Sequence, residues 1–255
     1  MGKYIRKLTP QYISNILWGN RKLWGLEIRE NDSCWKEWQK QYKNFYLKNQ
    51  KSGIGRIVNN AGYKILKHID LKDKNILELG PGSMDHIKYF QGTPKKFLIS
   101  DISSEFLKMS EDKLKSTNIS YKSILLNSKN VLPLENQSID IVLSFYSLEH
   151  MYPLDNYLNE IFRVLKPGGI LAGSIPTDGG LAWGLGRMMT SRRWLKNNTT
   201  INPDKIICWE HPNFSDEIVS KLNKYFNRVK LYSWPIPFLT LIDFNLVLKF
   251  IYKKK

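Results

Sequence analysis

The chain has 255 residues, 42% of them hydrophobic, enough for one large α/β domain with additions. Its formal net charge of +16, from 39 Lys plus Arg against 23 Asp plus Glu, would favour polyanions such as RNA or anionic lipid, but the lysines are spread along the whole chain as on a solvated surface. Cys34 and Cys208 stand far apart, which excludes a disulfide framework and a cysteine zinc site and fits a reducing, cytoplasmic compartment. Met1 to Asn20 never assembles the apolar core of a signal peptide, so export is not expected.

Residues 1–55 read as a helical extension rich in aromatic and basic side chains. Trp35, Trp38, Tyr42, Phe45 and Tyr46 recur at three and four residues and share one helical face, either packed on the main domain or capping a cleft. Ser52, Gly53 and Gly55 suggest a linker, and Arg56–Ile69 a helix. The main domain, 56–255, then alternates strands and helices. Strands are expected within Asn75–Ser83, where Glu78 ends the strand that feeds a glycine loop, and at Lys96–Asp101, Ile119–Leu126, Ile139–Phe145 and Ile170–Ile175. Helices are expected at Met84–Phe90, after the Ser103 cap, and over Pro153–Leu165. This is the pattern of a mostly parallel sheet covered on both faces. An insertion at 176–212 breaks it, holding Gly179, Gly180, Gly184 and Gly186 among tryptophans and arginines. Phe214–Phe226 reads as a helix, and Arg228–Trp234 with Leu239–Tyr252 as a closing hairpin, followed by a solvated tail at Lys253–Lys255. Asp243, Asn245 and Lys249 make the last apolar run too polar to span a membrane.

The chemistry gathers at strand ends. Gly80, Pro81 and Gly82 follow the first strand, and Asp101 closes the second about 20 residues on, the spacing at which a carboxylate accepts hydrogen bonds from ribose hydroxyls. A dinucleotide loop would carry a third glycine at 85. Asp85 stands there, and its charge opposes a pyrophosphate, so a nucleoside ligand without phosphate is favoured.

The motifs Leu77-Glu78-Leu79-Gly80-Pro81-Gly82-Ser83, Ser100-Asp101-Ile102-Ser103, Leu132-Pro133-Leu134 through Ile139-Asp140-Ile141-Val142, Leu148-Glu149-His150 and Leu165-Lys166-Pro167-Gly168-Gly169 occur in order. Together they resemble class I S-adenosylmethionine-dependent methyltransferases over Asp73–Lys255. The resemblance implies a Rossmann-like fold and S-adenosylmethionine as cofactor. It sets Glu78, Gly80, Pro81 and Gly82 against the cofactor's methionine part, Asp101 and Ile102 at the ribose, and Asn127 or Ser128 at the adenine, and Phe145 is a further cofactor contact. Met84 departs from the family's third glycine.

Methyl transfer to a hydroxyl requires alignment and loss of a proton. His150, after the fourth strand, or His211, in the insertion, is the expected base. Tyr146, Glu149, Asp178, Arg187 and Glu210 are candidate substrate contacts. No metal-ligand spacing occurs. Ser144-Phe145-Tyr146-Ser147 differs from the Asn-Pro-Pro-Tyr type of many nucleic-acid base methylases. The stretch Ile175–Arg187 with Trp209–Asn213 looks like a bacterial subgroup of surface-polysaccharide methyltransferases, which implies a sugar, glycan or other small hydroxyl acceptor. The rival readings are an RNA methyltransferase, which the charge allows, and a non-catalytic binding module. Peripheral membrane contact also stays open, and the sequence leaves the oligomeric state undefined.

Overall fold

The computed structural model describes residues 5–51, 53–126, 131–237, 239 and 241–255, without the side chains of 49 and 50. In chain order the first helices are α1 (Ile5–Leu8), α2 (Gln11–Trp18), α3 (Arg21–Trp24) and α4 (Ser33–Phe45), the last running into a π-helical turn at Tyr46–Gln50. Next comes α5 (Gly53–Tyr63). The expected linker is absent: Gly53 and Gly55 form the first turn of α5, where the flexibility of glycine costs less than in mid-helix. Farther along, Gly62 has a packing reason, since a Cβ there would lie 2.2 Å from Tyr146 Oη and 2.4 Å from Ser174 Oγ.

The domain continues through β1 (Asn75–Leu79), β2 (Lys96–Asp101), α6 (Ser104–Leu114), β3 (Tyr121–Leu125), β4 (Ile139–Phe145), α7 (Leu154–Val164) and β5 (Leu165–Pro176). Met84–Phe90 yields only a 3-10 helix, Asp85–Tyr89. The insertion is three short helices, α8 (Leu181–Met189), α9 (Ser191–Asn198) and α10 (Pro203–Glu210). After them come α11 (Ser215–Tyr225), β6 (Phe226–Trp234) and β7 (Val247–Lys254). The seven strands lie in the order β3-β2-β1-β4-β5-β7-β6, the first five parallel and β7 antiparallel to both neighbours. The parallel sheet and its closing hairpin agree with the sequence pattern.

β1 explains the double-sided core. Its side chains alternate, so Leu77 and Leu79 join one apolar cluster with α7 and α11, while Ile76 joins a second with Leu66, Phe97 and Leu107 on the opposite face. Lys254 corrects the idea of a solvated tail. It is buried in β7, with Nζ donating to the Leu165 carbonyl at 2.7 Å and lying 4.4 Å from the Phe162 ring centre. A third cluster joins Trp35, Trp38 and Phe45 of α4 to Leu195, Ile206, Cys208 and Trp209 of the insertion. The N-terminal extension and the insertion thus form one aromatic cap beside the sheet. No helix among the described residues is long and apolar enough to cross a membrane.

Candidate active site

A cavity of about 480 Å³ opens where β1, β2 and β4 end and the aromatic cap begins. Its floor includes Gly80, Pro81, Gly82, Asp101, Ile102, Phe145 and Ser147, and its roof includes Trp35, Trp38, Tyr42 and Tyr46. Ligands of open α/β sheets bind at this end of the strands.

Gly80 and Gly82 have φ of +66° and +57°, which side-chain-bearing residues rarely adopt. Ser110 Oγ donates to the Gly82 carbonyl at 2.7 Å, and the Ser83 amide donates to Tyr46 Oη at 3.1 Å. A Cβ on Gly82 would come within 2.3 Å of that same Tyr46 oxygen. Met84 takes a left-handed φ of +55° and buries its side chain in the core with Ile76 and Leu107, so it leaves the cavity clear. What narrows the loop instead is the tyrosine of the extension. Asp85 is balanced from nearby, bonded by Ser83 Oγ at 2.7 Å and 3.5 Å from Lys51 Nζ, so its charge is a weaker argument against phosphate than the sequence suggested.

Glu78 sits differently from expectation. It is fully buried under the loop, 2.9 Å from His86 Nε2, and is not among the residues lining the cavity. Because β1 side chains alternate, the neighbour Leu79 reaches the cavity while Glu78 props the turn from below. Asp101 does line it. Its Oδ1 accepts from the Ser103 amide at 2.8 Å, and burial pushes its pKa up to about 6 against the pull of the Ser103 and Ile102 amides. A carboxylate with no ion pair among the described residues and one oxygen outside that amide bond suits the hydroxyls of a ribose. Together with the glycine floor it fits a nucleoside-bearing cofactor. Asn127 and Ser128 lie outside the described residues, although Leu126 and Val131 on either side line the cavity.

On the far wall, the 3-10 turn Leu148–His150 that follows β4 presents His150. Its Nδ1 donates to the Glu210 carbonyl and lies 3.3 Å from Glu210 Oε2. A carbonyl only accepts, so Nδ1 carries the hydrogen, and the lone pair of a neutral ring falls on Nε2. Glu210, the last residue of α10, also lines the cavity, and its Oε1 accepts from Trp38 Nε1 at 2.7 Å. Burial alone would lower the His150 pKa. The Glu210 carboxylate, aided by the Glu149 charge and the Glu210 carbonyl, overcomes it and raises the value to about 9. Glu210 would itself be raised by burial, but His150 and Trp38 hold it below its ordinary value.

His211 does not line the cavity. It stacks edge-on behind His150 with ring centres 4.7 Å apart, its Nδ1 3.0 Å from Asp178 Oδ2 without hydrogen-bond alignment. Burial, reinforced by Arg187 and His150, drops its pKa to about 4 despite Asp178, so it stays neutral. Asp178 and Arg187 are likewise off the cavity, buried and paired at 2.6 Å. Burial opposes the Asp178 charge, but the Arg187 guanidinium beside it holds its carboxyl far below the usual range. Asp178 and Arg187 support the wall because a charge this deep is stable only when paired. Glu149 is also buried off the cavity, its Oε2 without a hydrogen-bond partner among the described residues, and burial raises its pKa to about 7. Tyr146 lines the cavity with its ring, while its hydroxyl is spent on the Val58 carbonyl at 2.8 Å. Of the seven residues expected at the acceptor, the structure thus brings His150, Glu210 and Tyr146 to the cavity.

The sequence reading missed Trp38 as the partner of Glu210 and Tyr46 as the cover of the glycine loop, although it had found the helical face that carries both. Tyr157 and Glu160 of α7 also line the cavity and gave no signal beyond amphipathic spacing. Among the described residues no cluster of three or more His, Cys, Asp or Glu is placed to hold a metal.

Residues 77–173 match a family described as a methyltransferase domain. Among curated proteins, the chain is 31% identical over 107 residues to the ubiquinone/menaquinone biosynthesis C-methyltransferase UbiE of Haemophilus ducreyi, covering 39% of this chain and 40% of that one. It is 28% identical over 115 residues to phthiotriol/phenolphthiotriol dimycocerosates methyltransferase 1 of Mycobacterium ulcerans, covering 44% and 41%. The chain spans less than half the length of these curated relatives. Among solved structures, the N-methyltransferase NodS of Bradyrhizobium japonicum in complex with S-adenosyl-L-homocysteine superposes with a TM-score of 0.57 at 14% identity, over 88% of this chain and 99% of that one.

Proposed function

We propose that this chain, whose fold is the Rossmann-like class I methyltransferase fold, transfers a methyl group from S-adenosylmethionine to a hydroxyl of a small acceptor, of the sugar or glycan class that its aromatic wall suits. The cofactor supplies an electrophilic methyl carried on a sulfonium. Gly80 and Gly82 give it close backbone approach, and Asp101 accepts from its ribose hydroxyls. The acceptor lies beside Trp35, Trp38 and Tyr42, which give this wall the aromatic surface that suits the apolar side of a sugar or another flat molecule.

The observation that carries the reading is the contact of His150 Nδ1 with the Glu210 carbonyl and carboxylate. With Nδ1 committed to Glu210, Nε2 is the ring nitrogen left to take the acceptor proton, and Glu210 stabilises the imidazolium that forms. A pKa of about 9 makes a strong base that is mostly protonated at neutral pH, roughly one molecule in a hundred being ready at pH 7. Any positive charge entering the cavity favours the neutral ring and raises that fraction. His211, neutral and behind His150, does not reach the acceptor side and serves as packing.

A second reading, transfer to carbon, is favoured by the identity to UbiE. A phenolic acceptor deprotonated by the same base would be nucleophilic at ring carbon as well. Incubating the protein with isotopically labelled S-adenosylmethionine and a panel of sugar and phenolic acceptors, with NMR of the product, separates an O-methyl from a C-methyl group. His150→Gln is expected to keep S-adenosyl-L-homocysteine affinity while lowering turnover about a hundredfold. Undiminished turnover in that variant would remove the base, and failure of S-adenosyl-L-homocysteine to bind wild type would remove the enzyme reading altogether.

A further inference from the structure

One surface lies apart from the cavity and takes no part in the reaction. Helix α2 turns Leu17 and Trp18 inward, and Tyr12 and Ile16, one turn apart, point outward. Helix α8 crosses it closely because Gly184 lets the backbone approach: a Cβ there would lie 3.0 Å from Trp18 Nε1 and 3.3 Å from Leu17 Cβ. On α8, Leu185, Met188 and Met189, at i, i+3 and i+4, stay in solvent. These five side chains are between 37% and 76% exposed, well beyond what isolated surface residues explain when they share two packed helices.

Basic residues border them. Ile16 and Met188 line a surface recess together with Arg192, Arg193 and Lys196. Arg192 is neutralised by Asp204, whereas Arg193 and Lys196 are exposed and form no ion pair among the described residues. Residues 1–26 and 179–203 contain no Asp or Glu at all, so the helices that build this face carry positive charge only. An apolar stripe with two adaptable methionines, edged by cations and with the Asp204 carboxylate spent on Arg192, complements one kind of partner, a surface with an oily interior and an anionic skin.

We propose that the face formed by α2, α8 and α9 seats this protein on an anionic lipid bilayer. Tyr12, Ile16, Leu185, Met188 and Met189 enter the boundary between headgroups and acyl chains, and Arg193 and Lys196 pair with lipid phosphates. Neither step depends on the methyl-transfer reading.

The test is co-sedimentation of the full chain with vesicles of phosphatidylglycerol and phosphatidylcholine in equal parts, beside vesicles of phosphatidylcholine alone. The chain is expected to sediment with the anionic vesicles and to stay in solution with the neutral ones. Leu185→Ser with Met189→Ser changes no charge and touches exposed positions, and is expected to weaken binding about fivefold or more. Arg193→Gln with Lys196→Gln is expected to weaken it about tenfold or more. Lys115→Gln, at the end of α6 beside the β3 edge of the sheet, is expected to change nothing. Absence of wild-type binding to the anionic vesicles, or equal binding by the Leu185→Ser, Met189→Ser variant, would overturn the proposal. So would an equal loss in Lys115→Gln, which would mark attraction by overall charge. A dimer on gel filtration that the double serine variant dissociates would give the face to a second copy of the chain instead.

Discussion

Replacing Glu210 by Gln removes the charge that sets the titration of His150 while keeping a side chain that still meets Trp38. In the wild type the His150 pKa stands at about 9 against an ordinary 6.5, even though burial by itself lowers it. A difference of about 2.5 units corresponds to about 3 kcal/mol favouring the protonated ring, an upper figure because part of the ring meets solvent. Without the carboxylate, burial prevails and the midpoint is expected to fall to about 6.5 or lower. The chain has four histidines, His68, His86, His150 and His211, so imidazole ¹⁵N resonances followed against pH resolve the titration, with His150→Gln identifying the signal. Stability follows the same sign. A folded-state pKa raised above the unfolded value contributes stability that is complete below about 6.5 and is lost as pH rises through about 9. Wild type is therefore expected to lose more urea resistance between about pH 6 and about pH 10 than Glu210→Gln does. A wild-type midpoint near 6.5, or one that the substitution leaves in place, would refute the Glu210–His150 coupling and with it the proposed base.

Asp101→Asn is expected to weaken S-adenosyl-L-homocysteine binding about ten- to a hundredfold by calorimetry, the loss typical of hydrogen bonds to a charged group, and unchanged affinity would remove Asp101 from the ribose site. In wild type, affinity is expected to fall as pH drops through about 6, where Asp101 takes up a proton. Gly82→Ala is expected to destabilise the fold by about 1–3 kcal/mol in urea melts, because it forces a side chain to φ +57° and within 2.3 Å of Tyr46 Oη. Tyr46→Phe added to it is expected to restore part of that loss by removing the oxygen. A purely additive pair would mean that the ring does not sit on the loop.

The sheet was legible because its strands are continuous apolar runs. Lys96–Asp101 and Ile139–Phe145 have the same bounds in the structure as in the pattern, since central parallel strands buried on both faces leave no ambiguity of period. The position of Asp101 and His150 at the cavity was legible for a related reason: each lies at or just beyond the end of such a strand, where the cavity opens. That Glu78, Asp178 and Arg187 lie off the cavity was not legible, because a sequence shows which residues are charged but not whether they face a cavity or one another. Glu78 had a histidine eight residues on, and Asp178 an arginine nine residues on, and in both cases the fold paired them in the interior. The glycines at 53 and 55 failed as a linker signal because glycine is tolerated in the first turn of a helix. The cap was visible as an aromatic stripe, but its partner in the insertion was more than 140 residues away, beyond any local periodicity.

That long-range partnership decides what the N-terminal extension does. Glu210 belongs to the insertion, His150 to the turn after β4, and Trp38 to the extension, and the three meet through two consecutive polar contacts. Trp38 Nε1 satisfies one carboxylate oxygen, leaving the other 3.3 Å from His150 Nδ1. A carboxylate this enclosed is held in position only when each oxygen has a partner. On the proposed reading the extension would serve the chemistry as well as the shape of the cavity: its tryptophan meets the carboxylate that meets the imidazole, and its tyrosine covers the glycine loop on the opposite side. Both groups lie on one run of helix, from Trp38 to Tyr46, so a displacement of α4 would shift the glycine-loop side and the His150 side of the cavity together.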